Sequence, residues 1–299
     1  MKTRTNGSLL GELSSALAGV VETVGPSVVR VDDGTRLTAT GVVWTGDGVI
    51  VTTSHGVERD EELVVESGEG KRYAAELVGR DADTDLAVLR VKNGALTPVQ
   101  RAPHEDVKIG QIVLALGRPG DSGLQATIGI IGARMESQTS GQPGYILNTD
   151  AVLYPGFSGG PLVDVNGHVV GLNNLMFGRG RGVAVGTPVV AAVTSALLSH
   201  GRVQRGYLGV RTQSVEIPDS LKLKQRYGAL IIGVESGSSA EKAGLMLGDV
   251  ILGIDGRIVD GVDDLRAILR GLPAGQSVGL RVLRGGTVTE VKASLGNEG

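Results

Sequence analysis

The central turn of the chain reads Tyr154-Pro155-Gly156-Phe157-Ser158-Gly159-Gly160-Pro161-Leu162. Gly156 and Gly159 allow backbone conformations that a Cβ would forbid, so the turn can present the hydroxyl of Ser158. The backbone N–H groups of Gly156 and Ser158 can then point at one place, and two such fixed donors form an oxyanion hole for acyl transfer. The turn therefore predicts a serine nucleophile, which needs a base and a group that orients that base.

Two upstream stretches can supply these partners. The first is an apolar strand that runs into His55 at a turn, Ile50-Val51-Thr52-Thr53-Ser54-His55-Gly56-Val57. The second places Asp85 at the start of another apolar strand, Asp83-Thr84-Asp85-Leu86-Ala87-Val88-Leu89-Arg90-Val91. The chain order His55, Asp85, Ser158 is that of chymotrypsin-like proteases and differs from the order in subtilisin and α/β-hydrolases.

A second serine, in Gly120-Asp121-Ser122-Gly123, echoes the nucleophile motif of trypsin. It lacks the second glycine and the proline, and it leads directly into an apolar strand. We therefore interpret it as a turn.

Three motifs, TTSHGV (52–57), DTDLAVLRV (83–91) and PGFSGGPLV (155–163), together resemble the HtrA (Deg) family of serine proteases. In the C-terminal third, GALIIGVESGSSAEKAGLMLGDVILGIDG (228–256) and DDLRAILRG (263–271) resemble the PDZ domain of that family. Two runs of short, Gly-punctuated strands agree with this resemblance. It implies a mostly β fold, with a chymotrypsin-like double β-barrel protease domain followed by a small α+β PDZ domain. The active site would lie between the barrels.

The chain divides into four predicted segments. These are an N-terminal amphipathic helix in 1–26, a trypsin-like serine protease domain in 27–200, a linker in 201–206 and a PDZ domain in 207–299. Apolar residues recur at helical spacing in the first segment, at Leu10, Leu13, Leu17, Val20, Val21 and Val24. Such a helix either packs on its own barrel or forms an oligomer contact. Because N-terminal segments of HtrA proteins commonly hold trimers together, the resemblance favours a homotrimer.

Composition narrows the possible functions. A chain of 299 residues should form about two domains. A net charge of −3 argues against a dedicated nucleic-acid binder. The segment Gly178-Arg179-Gly180-Arg181-Gly182 is therefore interpreted as a protease loop. With no cysteine and no paired histidines, neither a metal site nor a cofactor is expected.

The sequence leaves the compartment open. No stretch has the length and apolarity of a transmembrane helix, and the N-terminus does not read as a signal peptide. As written the chain would be cytoplasmic. It would be extracytoplasmic if an export segment was removed, since HtrA relatives usually work outside the cytoplasm.

Phe157 departs from the family pattern, which mostly has Asn before the serine. Phe cannot make the Asn hydrogen bonds, so packing of its ring must hold the loop, or the loop is dynamic. The resemblance assigns the oxyanion hole to Gly156, Phe157 and Ser158.

The resemblance to trypsin-like proteases also places the floor of the primary specificity pocket at Val152, six residues before Ser158. An apolar floor favours an aliphatic side chain before the scissile bond, because a buried Lys or Arg would find no counter-charge there. The predicted strand 172–175 would form one wall, and the pocket residues are Val152, Leu172, Asn174 and Leu175. A further hypothesis is that Asn174 reaches Asp85.

In the PDZ-like segment, Tyr207-Leu208-Gly209-Val210 matches the family's carboxylate-binding loop. Its backbone N–H groups can hold a terminal carboxylate while the next strand takes the peptide as an added strand. Ile268 and Leu269 are the candidates for the apolar pocket. The alternative is a PDZ fold used only for assembly.

The resemblance implies an ATP-independent serine endopeptidase that acts on unfolded or damaged proteins. Ser158 would attack, His55 would serve as general base and then acid, and Asp85 would orient the imidazole. One alternative is a catalytically silent peptide-binding or chaperone-like protein, which Phe157 favours. Another is a regulatory protease that cuts one substrate after the PDZ domain is occupied.

Overall fold

Short antiparallel strands dominate the chain. A computed structural model describes residues 9–35, 38–92, 96–139, 141–178, 182–221, 223 and 225–297, so the predicted loop residues Arg179 and Arg181 lie outside the described residues. The chain divides into two compact units, Met1–Ser137 with Pro143–Val203, and Gln138–Gln142 with Gln204–Gly299. Two closed barrels followed by a small sheet with helices confirm the predicted fold class.

Six antiparallel strands close the first barrel. They are β1 (Val28–Asp32), β2 (Ala39–Thr45), β3 (Val49–Thr53), β4 (Leu63–Glu66), β5 (Arg72–Asp81) and β6 (Leu86–Val91). Their order around the barrel is β1-β2-β3-β6-β5-β4. Because β3 pairs with β6 in a register that places Thr53 opposite Leu86, the residue pair His55 and Asp85 lies at one end of the barrel.

A second six-stranded barrel follows. Its strands are β7 (Ile112–Gly117), β8 (Gln125–Thr139), β9 (Gln142–Thr149), β10 (Pro161–Asp164), β11 (Val169–Asn174) and β12 (Gly182–Gly186). They are arranged in the order β10-β11-β12-β9-β8-β7. Since β10 pairs with both β7 and β11, the turn that carries Ser158 lies beside the ends of those two strands, at Gly117 and Asn174.

A shared apolar core joins the two barrels and includes residues of two helices. The helices of this unit are α1 (Leu9–Val24), α2 (Leu175–Gly178) and α3 (Thr187–His200). Val51 and Leu172 enter this core from the first and second barrels, and Val24 and Leu197 enter it from α1 and α3. The side chains of this core are almost completely buried and closely packed, so the core fixes the positions of the two barrels and of the site residues that they carry.

The second unit contains a five-stranded antiparallel path, β14-β15-β16-β18-β19, with β17 paired to β16 and a separate pair β13-β20. The strands are β13 (Gly206–Tyr207), β14 (Val210–Glu216), β15 (Tyr227–Val234), β16 (Val250–Ile254), β17 (Arg257–Ile258), β18 (Ser277–Arg284), β19 (Thr287–Ser294) and β20 (Gly296–Asn297). The helices are α4 (Ser239–Lys242) and α5 (Val262–Arg270). Within the described part of the chain, β14 pairs only with β15 and is an edge strand.

Candidate active site

His55 and Asp85 form a hydrogen-bonded pair at the end of the first barrel. The ring Nδ1 of His55 lies 2.5 Å from Oδ2 of Asp85, and the backbone N–H of His55 donates to Oδ1 at 2.9 Å. The backbone N–H of Ser54 donates to the carbonyl oxygen of Asp85, also at 2.9 Å. An ionised carboxylate only accepts, so Nδ1 of the ring is the donor in this contact.

Asp85 is buried and receives one more hydrogen bond, from the other barrel. Nδ2 of Asn174 donates to Oδ2 of Asp85 at 2.8 Å, which confirms the hypothesis that Asn174 reaches this carboxylate. Asp85 also has a positive φ of 54°, a conformation that Asp and Asn tolerate better than most residues. A buried charge needs such a set of donors, because an unpaired carboxylate in this position would be costly.

Ser158 is placed differently from its two predicted partners. Its Oγ accepts a hydrogen bond from the backbone N–H of Leu175 at 3.3 Å. Among the described residues, no hydrogen bond joins this hydroxyl to the ring of His55. The predicted base and its predicted orienting carboxylate are thus hydrogen-bonded to each other, while the predicted nucleophile is held by the second barrel. Catalytic hydrogen bonds are often long in unliganded enzymes and tighten only with substrate, so this geometry is compatible with catalysis.

The turn before Ser158 leaves two backbone donors available. Gly156 has a φ of +88°, and a Cβ there would lie 2.6 Å from Cβ of Pro119, so only glycine fits. In the described chain the N–H groups of Gly156 and Ser158 have no acceptor. The N–H of Phe157, in contrast, donates to the carbonyl oxygen of Tyr154 at 2.9 Å. The structure therefore corrects one predicted member of the oxyanion hole, because the amide of Phe157 is already used.

Thr40, which the sequence did not single out, holds this turn from the first barrel. Its hydroxyl donates to the carbonyl oxygen of Gly156 at 2.6 Å and accepts from the backbone N–H of Arg118 at 2.8 Å. Its backbone N–H donates to the carbonyl oxygen of Ser158 at 3.1 Å. Thr40 thus bonds to both residues whose N–H groups remain available.

The ring of Phe157 packs in the core of the second barrel and is fully buried. It meets the ring of Tyr154 edge-on, with centroids 5.7 Å apart. A Cβ on Gly117, at the end of β7, would lie 2.5 Å from the Phe157 ring, so this glycine opens the space that the ring fills. Packing of the Phe157 ring takes the place of the hydrogen bonds that an Asn side chain would make. Nothing in the sequence indicated that Gly117 provides the space for this ring.

A cavity of about 580 Å³ includes two of the predicted specificity-pocket residues, Val152 and Leu175, in its lining. Its lining residues are Gly132, Ala133, Asn148, Thr149, Asp150, Ala151, Val152, Leu153, Leu175 and Gly182. Val152 is 54% exposed, which differs from the buried pocket floor that the sequence predicted. The acidic group of the lining, Asp150, accepts a hydrogen bond from the N–H of Ile130 at 2.7 Å through Oδ1.

Two other predicted pocket residues do not line this cavity. Leu172 is fully buried in the core between the barrels, and Asn174 is fully buried against Asp85. The predicted strand 172–175 also ends one residue early, because Oδ1 of Asn174 accepts from the N–H of Phe177 at 3.0 Å and starts the short helix α2. Asn is among the residues that cap helix N-termini best, which explains this local change of structure.

In the second unit, the predicted carboxylate-binding loop borders a cavity of about 600 Å³. All four loop residues, Tyr207, Leu208, Gly209 and Val210, line it. Gly209 has a φ of +76°, and a Cβ there would lie 2.2 Å from Cβ of Ser238. This glycine is required for the close approach of the loop backbone.

On the other side of this cavity, α5 contributes residues that differ in part from the prediction. Leu269 lines the cavity as expected and Ile268 does not, although both pack against the core of the unit. Leu265 replaces it, since residues four apart share one face of a helix. The cavity is also lined by Arg211, Arg266 and Arg270, to which the sequence analysis assigned no role.

Comparison with known proteins agrees with both units. The trypsin-like peptidase domain matches residues 39–172, and the PDZ domain matches residues 206–295. A relative from Halomonas elongata, named "Probable periplasmic serine endoprotease DegP-like", is 36% identical over 271 residues, which cover 88% of this chain and 57% of that protein. A relative of the same name from Chlamydia trachomatis is 35% identical, covering 86% and 53%. The chain thus spans little more than half the length of these curated relatives.

Solved structures match over a larger share of their length. The HtrA-type protease AlgW with a decapeptide has a TM-score of 0.79 and 27% identity, covering 95% of this chain and 99% of that one. A serine endoprotease from Yersinia pestis has a TM-score of 0.76 and 29% identity, covering 95% and 98%. With a trypsin-like peptidase domain, a PDZ domain after it and these relatives, the chain belongs to the HtrA family of serine proteases.

Proposed function

We propose that the chain is a serine endopeptidase that cleaves unfolded or damaged proteins. The observation that carries this proposal is the His55–Asp85 hydrogen bond beside a Ser158 turn with two available N–H donors. Oγ of Ser158 attacks the scissile carbonyl carbon and gives its proton to Nε2 of His55. The imidazolium, stabilised by Asp85, then passes that proton to the leaving amine. Water attacks the acyl-enzyme in the second half of the cycle, with His55 again as base.

The N–H groups of Gly156 and Ser158 stabilise the oxyanion in both steps. Removing one such donor from an oxyanion hole typically lowers turnover by about 10²–10³. Phe157 acts through its buried ring, which fixes the peptide groups on either side of it.

Labelling with a fluorophosphonate tests the nucleophile. We expect labelling of the parent chain and of Ser122→Ala, since Ser122 lies in the separate turn Gly120-Asp121-Ser122-Gly123, and no labelling of Ser158→Ala. Hydrolysis of casein should show the same pattern. Undiminished casein cleavage by Ser158→Ala would refute the assignment.

The cavity that contains Val152 supports a preference for aliphatic residues before the scissile bond. The lining also includes one carboxylate, Asp150, whose Oδ1 accepts a backbone N–H. Mass spectrometry of casein fragments should show cuts after Val, Ala, Leu or Ile. A majority of cuts after Lys or Arg would contradict this pocket assignment.

A second candidate is a regulatory protease with a closed resting site. The hydrogen bond from Leu175 to Ser158, together with the helical turn α2 where a substrate-binding strand was predicted, supports it. The third, a silent peptide-binding or chaperone-like protein, predicts no fluorophosphonate labelling with or without a C-terminal peptide. Labelling that appears only with the peptide identifies the regulatory form.

The second unit supports peptide binding at C-termini, because a Gly209 loop, an open β14 edge and an apolar helix face meet at one cavity. AlgW, a structural relative, has been solved with a decapeptide. The predicted linker 201–206 overlaps the second unit, which includes residues from Gln204 onwards and contains Gly206 in β13. A peptide acid should bind more tightly than its C-terminal amide. Equal affinities for the peptide acid and the amide would contradict the proposed role of the loop 207–210 in binding the terminal carboxylate.

Assembly and location complete the proposal. The N-terminal half of α1 exposes Leu9, Leu10 and Leu13, while Val20 and Val24 are buried on the barrels, which supports a homotrimer contact at the exposed end. Light scattering on the chain and on a version that begins at Pro26 tests this, and a monomer in both cases refutes it.

The relatives are named periplasmic, which supports an extracytoplasmic location. None of the described helices is long and apolar enough to cross a membrane.

A further inference from the structure

Arg118 joins the end of β7 to the first barrel, and the proposed mechanism assigns it no role. The residue follows Gly117, the last residue of β7, so its backbone extends from the second barrel. Its Nε donates to the carbonyl oxygen of Val28, the first residue of β1, at 2.9 Å. Its Nη2 donates to the carbonyl oxygen of Gly25, just after α1, at 3.3 Å. The side chain therefore crosses from one barrel to the other.

The charge of Arg118 is held by backbone groups. Among the described residues, the guanidinium donates to carbonyl oxygens and forms no salt bridge. Burial lowers the pKa of Arg118, although the nearby carboxylate of Glu66 raises it in part. A Cβ on Gly68 would lie 2.9 Å from Nη2, so this glycine leaves room for the guanidinium. An apolar side chain could fill this space without the cost of burying a charge, so the two hydrogen bonds to the first barrel are what the guanidinium adds.

The backbone of Arg118 leads to the oxyanion hole through Thr40. Its N–H donates to Oγ1 of Thr40 at 2.8 Å, and that hydroxyl donates to the carbonyl oxygen of Gly156 at 2.6 Å. Because a hydroxyl has a single proton, an N–H donor on its acceptor side directs that proton towards Gly156. The N–H of Gly120 donates to Oγ1 of Thr38 at 2.9 Å, which is a second backbone contact of this segment with the first barrel.

Pro119, between these two contacts, lies against Gly156 itself. A Cβ on Gly156 would be 2.6 Å from Cβ of Pro119. Gly156 carries one of the two N–H groups that have no acceptor in the described chain. Glycine has wide conformational freedom, so this N–H keeps one direction only if neighbouring groups restrict the residue. The contact with Pro119 and the hydrogen bond from Thr40 restrict it from two sides.

We propose that Arg118 is a positioning residue for the oxyanion hole and acts on Gly156 through Thr40 and Pro119. The inference rests on the proposed serine endopeptidase function and adds a residue that does not contact the reacting atoms. The guanidinium holds the segment 118–120 on the first barrel, and this segment keeps the N–H of Gly156 directed at the oxyanion. Without the side chain the segment can shift, and the hole loses the fixed geometry on which its contribution depends.

Arg118→Ala in the full chain tests this with a fluorogenic peptide that spans a mapped casein cleavage site. We expect kcat to fall about tenfold, less than for the loss of a whole oxyanion donor, and KM to stay nearly unchanged. A boronic acid with the same peptide sequence forms a tetrahedral adduct with Ser158. Its affinity should fall by the same factor as kcat, because its oxygen occupies the oxyanion hole. Urea unfolding checks that the variant is folded.

Arg101→Ala is the matched control. The guanidinium of Arg101 lies over the ring of Trp44 in the first barrel, 4.8 Å from the ring centroid. In the described part of the chain, no hydrogen bond joins it to Thr40 or Gly156. This variant removes another arginine contact with the first barrel and should leave kcat unchanged. If it lowers kcat as much as Arg118→Ala does, the positioning role of Arg118 is overturned.

A double-mutant cycle with Thr40→Val tests the route of the effect. If Arg118 acts through Thr40, Arg118→Ala should lower kcat by less than about threefold once the hydroxyl is absent, since residues in one hydrogen-bond network are not additive. Losses that simply multiply would overturn the coupling between the two residues.

The outcomes separate this inference from the proposed function. A parent chain that is neither labelled by a fluorophosphonate nor able to cleave casein, with or without a C-terminal peptide, would refute the peptidase proposal and the inference with it. An active parent whose kcat and boronic acid affinity are unchanged by Arg118→Ala would overturn the positioning role alone. A rise in KM at constant kcat would do the same, because that pattern indicates lost substrate binding.

Discussion

The half of the site in the first barrel and the half in the second differ in how their polar groups are used. The carboxylate of Asp85 accepts from the ring and backbone of His55 and from Asn174, and the set is largely buried. The hydroxyl of Ser158 instead accepts from Leu175, and the neighbouring N–H groups have no acceptor within the described chain.

For the proposed protease, this difference indicates which part of the site could be controlled. In the proposed mechanism His55 and Asp85 need no rearrangement relative to each other, since the hydrogen bonds between them are already formed. The contacts of the nucleophile are few and lie next to α2, so a ligand that changes this segment changes the reactivity of Ser158. A ligand can shift such an equilibrium only by its differential affinity for the two states, typically by about 1–3 kcal/mol.

The largest effect on kcat is expected from a change to the hydrogen-bonded pair of His55 and Asp85 in the first barrel. Asp85→Asn should lower kcat by about 10⁴, as the corresponding change does in a Ser-His-Asp protease, because an amide favours the wrong imidazole tautomer. Asn tolerates the positive φ at this position, so the fold should survive. Asp83→Asn, in the same turn, is the control. A loss below tenfold in Asp85→Asn would place the orienting group elsewhere.

Thr40→Val should have the next largest effect. It removes the hydroxyl that holds the carbonyl of Gly156 and leaves the N–H of Arg118 without its partner. Losing such a buried hydrogen bond costs about 1–3 kcal/mol, so kcat should fall by roughly 10- to 100-fold with little change in KM. Thr40→Ser keeps the hydroxyl and should restore kcat. If Ser fails to restore it, the hydroxyl is not the positioning group.

Gly117→Ala tests the packing of Phe157. The added Cβ would lie 2.5 Å from the ring, and overpacking of this kind costs about 1–3 kcal/mol of unfolding free energy. Gly46→Ala is the control, since a Cβ there meets no atom within 4 Å. Urea unfolding measures the change, and Phe157→Leu in the same chain should recover part of it. Equal stability of Gly117→Ala and Gly46→Ala would contradict the packing argument.

The smallest effect is expected at the resting contact of the nucleophile. Leu175→Pro removes the N–H that donates to Ser158, at the first position of α2, where proline is tolerated. One hydrogen bond of about 0.5–1.5 kcal/mol restrains the hydroxyl, so fluorophosphonate labelling should become a few times faster. Leu175→Ala keeps the N–H and controls for the side chain. Equal labelling rates in the two variants would show that this contact does not restrain Ser158.

Local patterns were enough for the strands, the barrels and the hydrogen-bonded pair of His55 and Asp85, whereas the role of Ser158 remains a proposal. Alternating apolar residues and glycine turns specify strands over a few positions, and the Ser158 turn carries its own glycines. The same holds for the PDZ loop, where Gly209 marks the close approach of the backbone.

Only the tertiary structure decided what these residues touch. Asn174 reaches Asp85 from 89 positions away, and Gly117 provides the space for Phe157. Because Asn174 caps the N-terminus of α2, the predicted strand 172–175 ends at Asn174 and the helix begins at Leu175. The side of α5 that faces the cavity selected Leu265 in place of Ile268. The periodicity of apolar residues identifies a helix or strand and its apolar face. Which segment packs against that face depends on residues far away in the chain, so contacts between distant side chains leave no local sequence pattern.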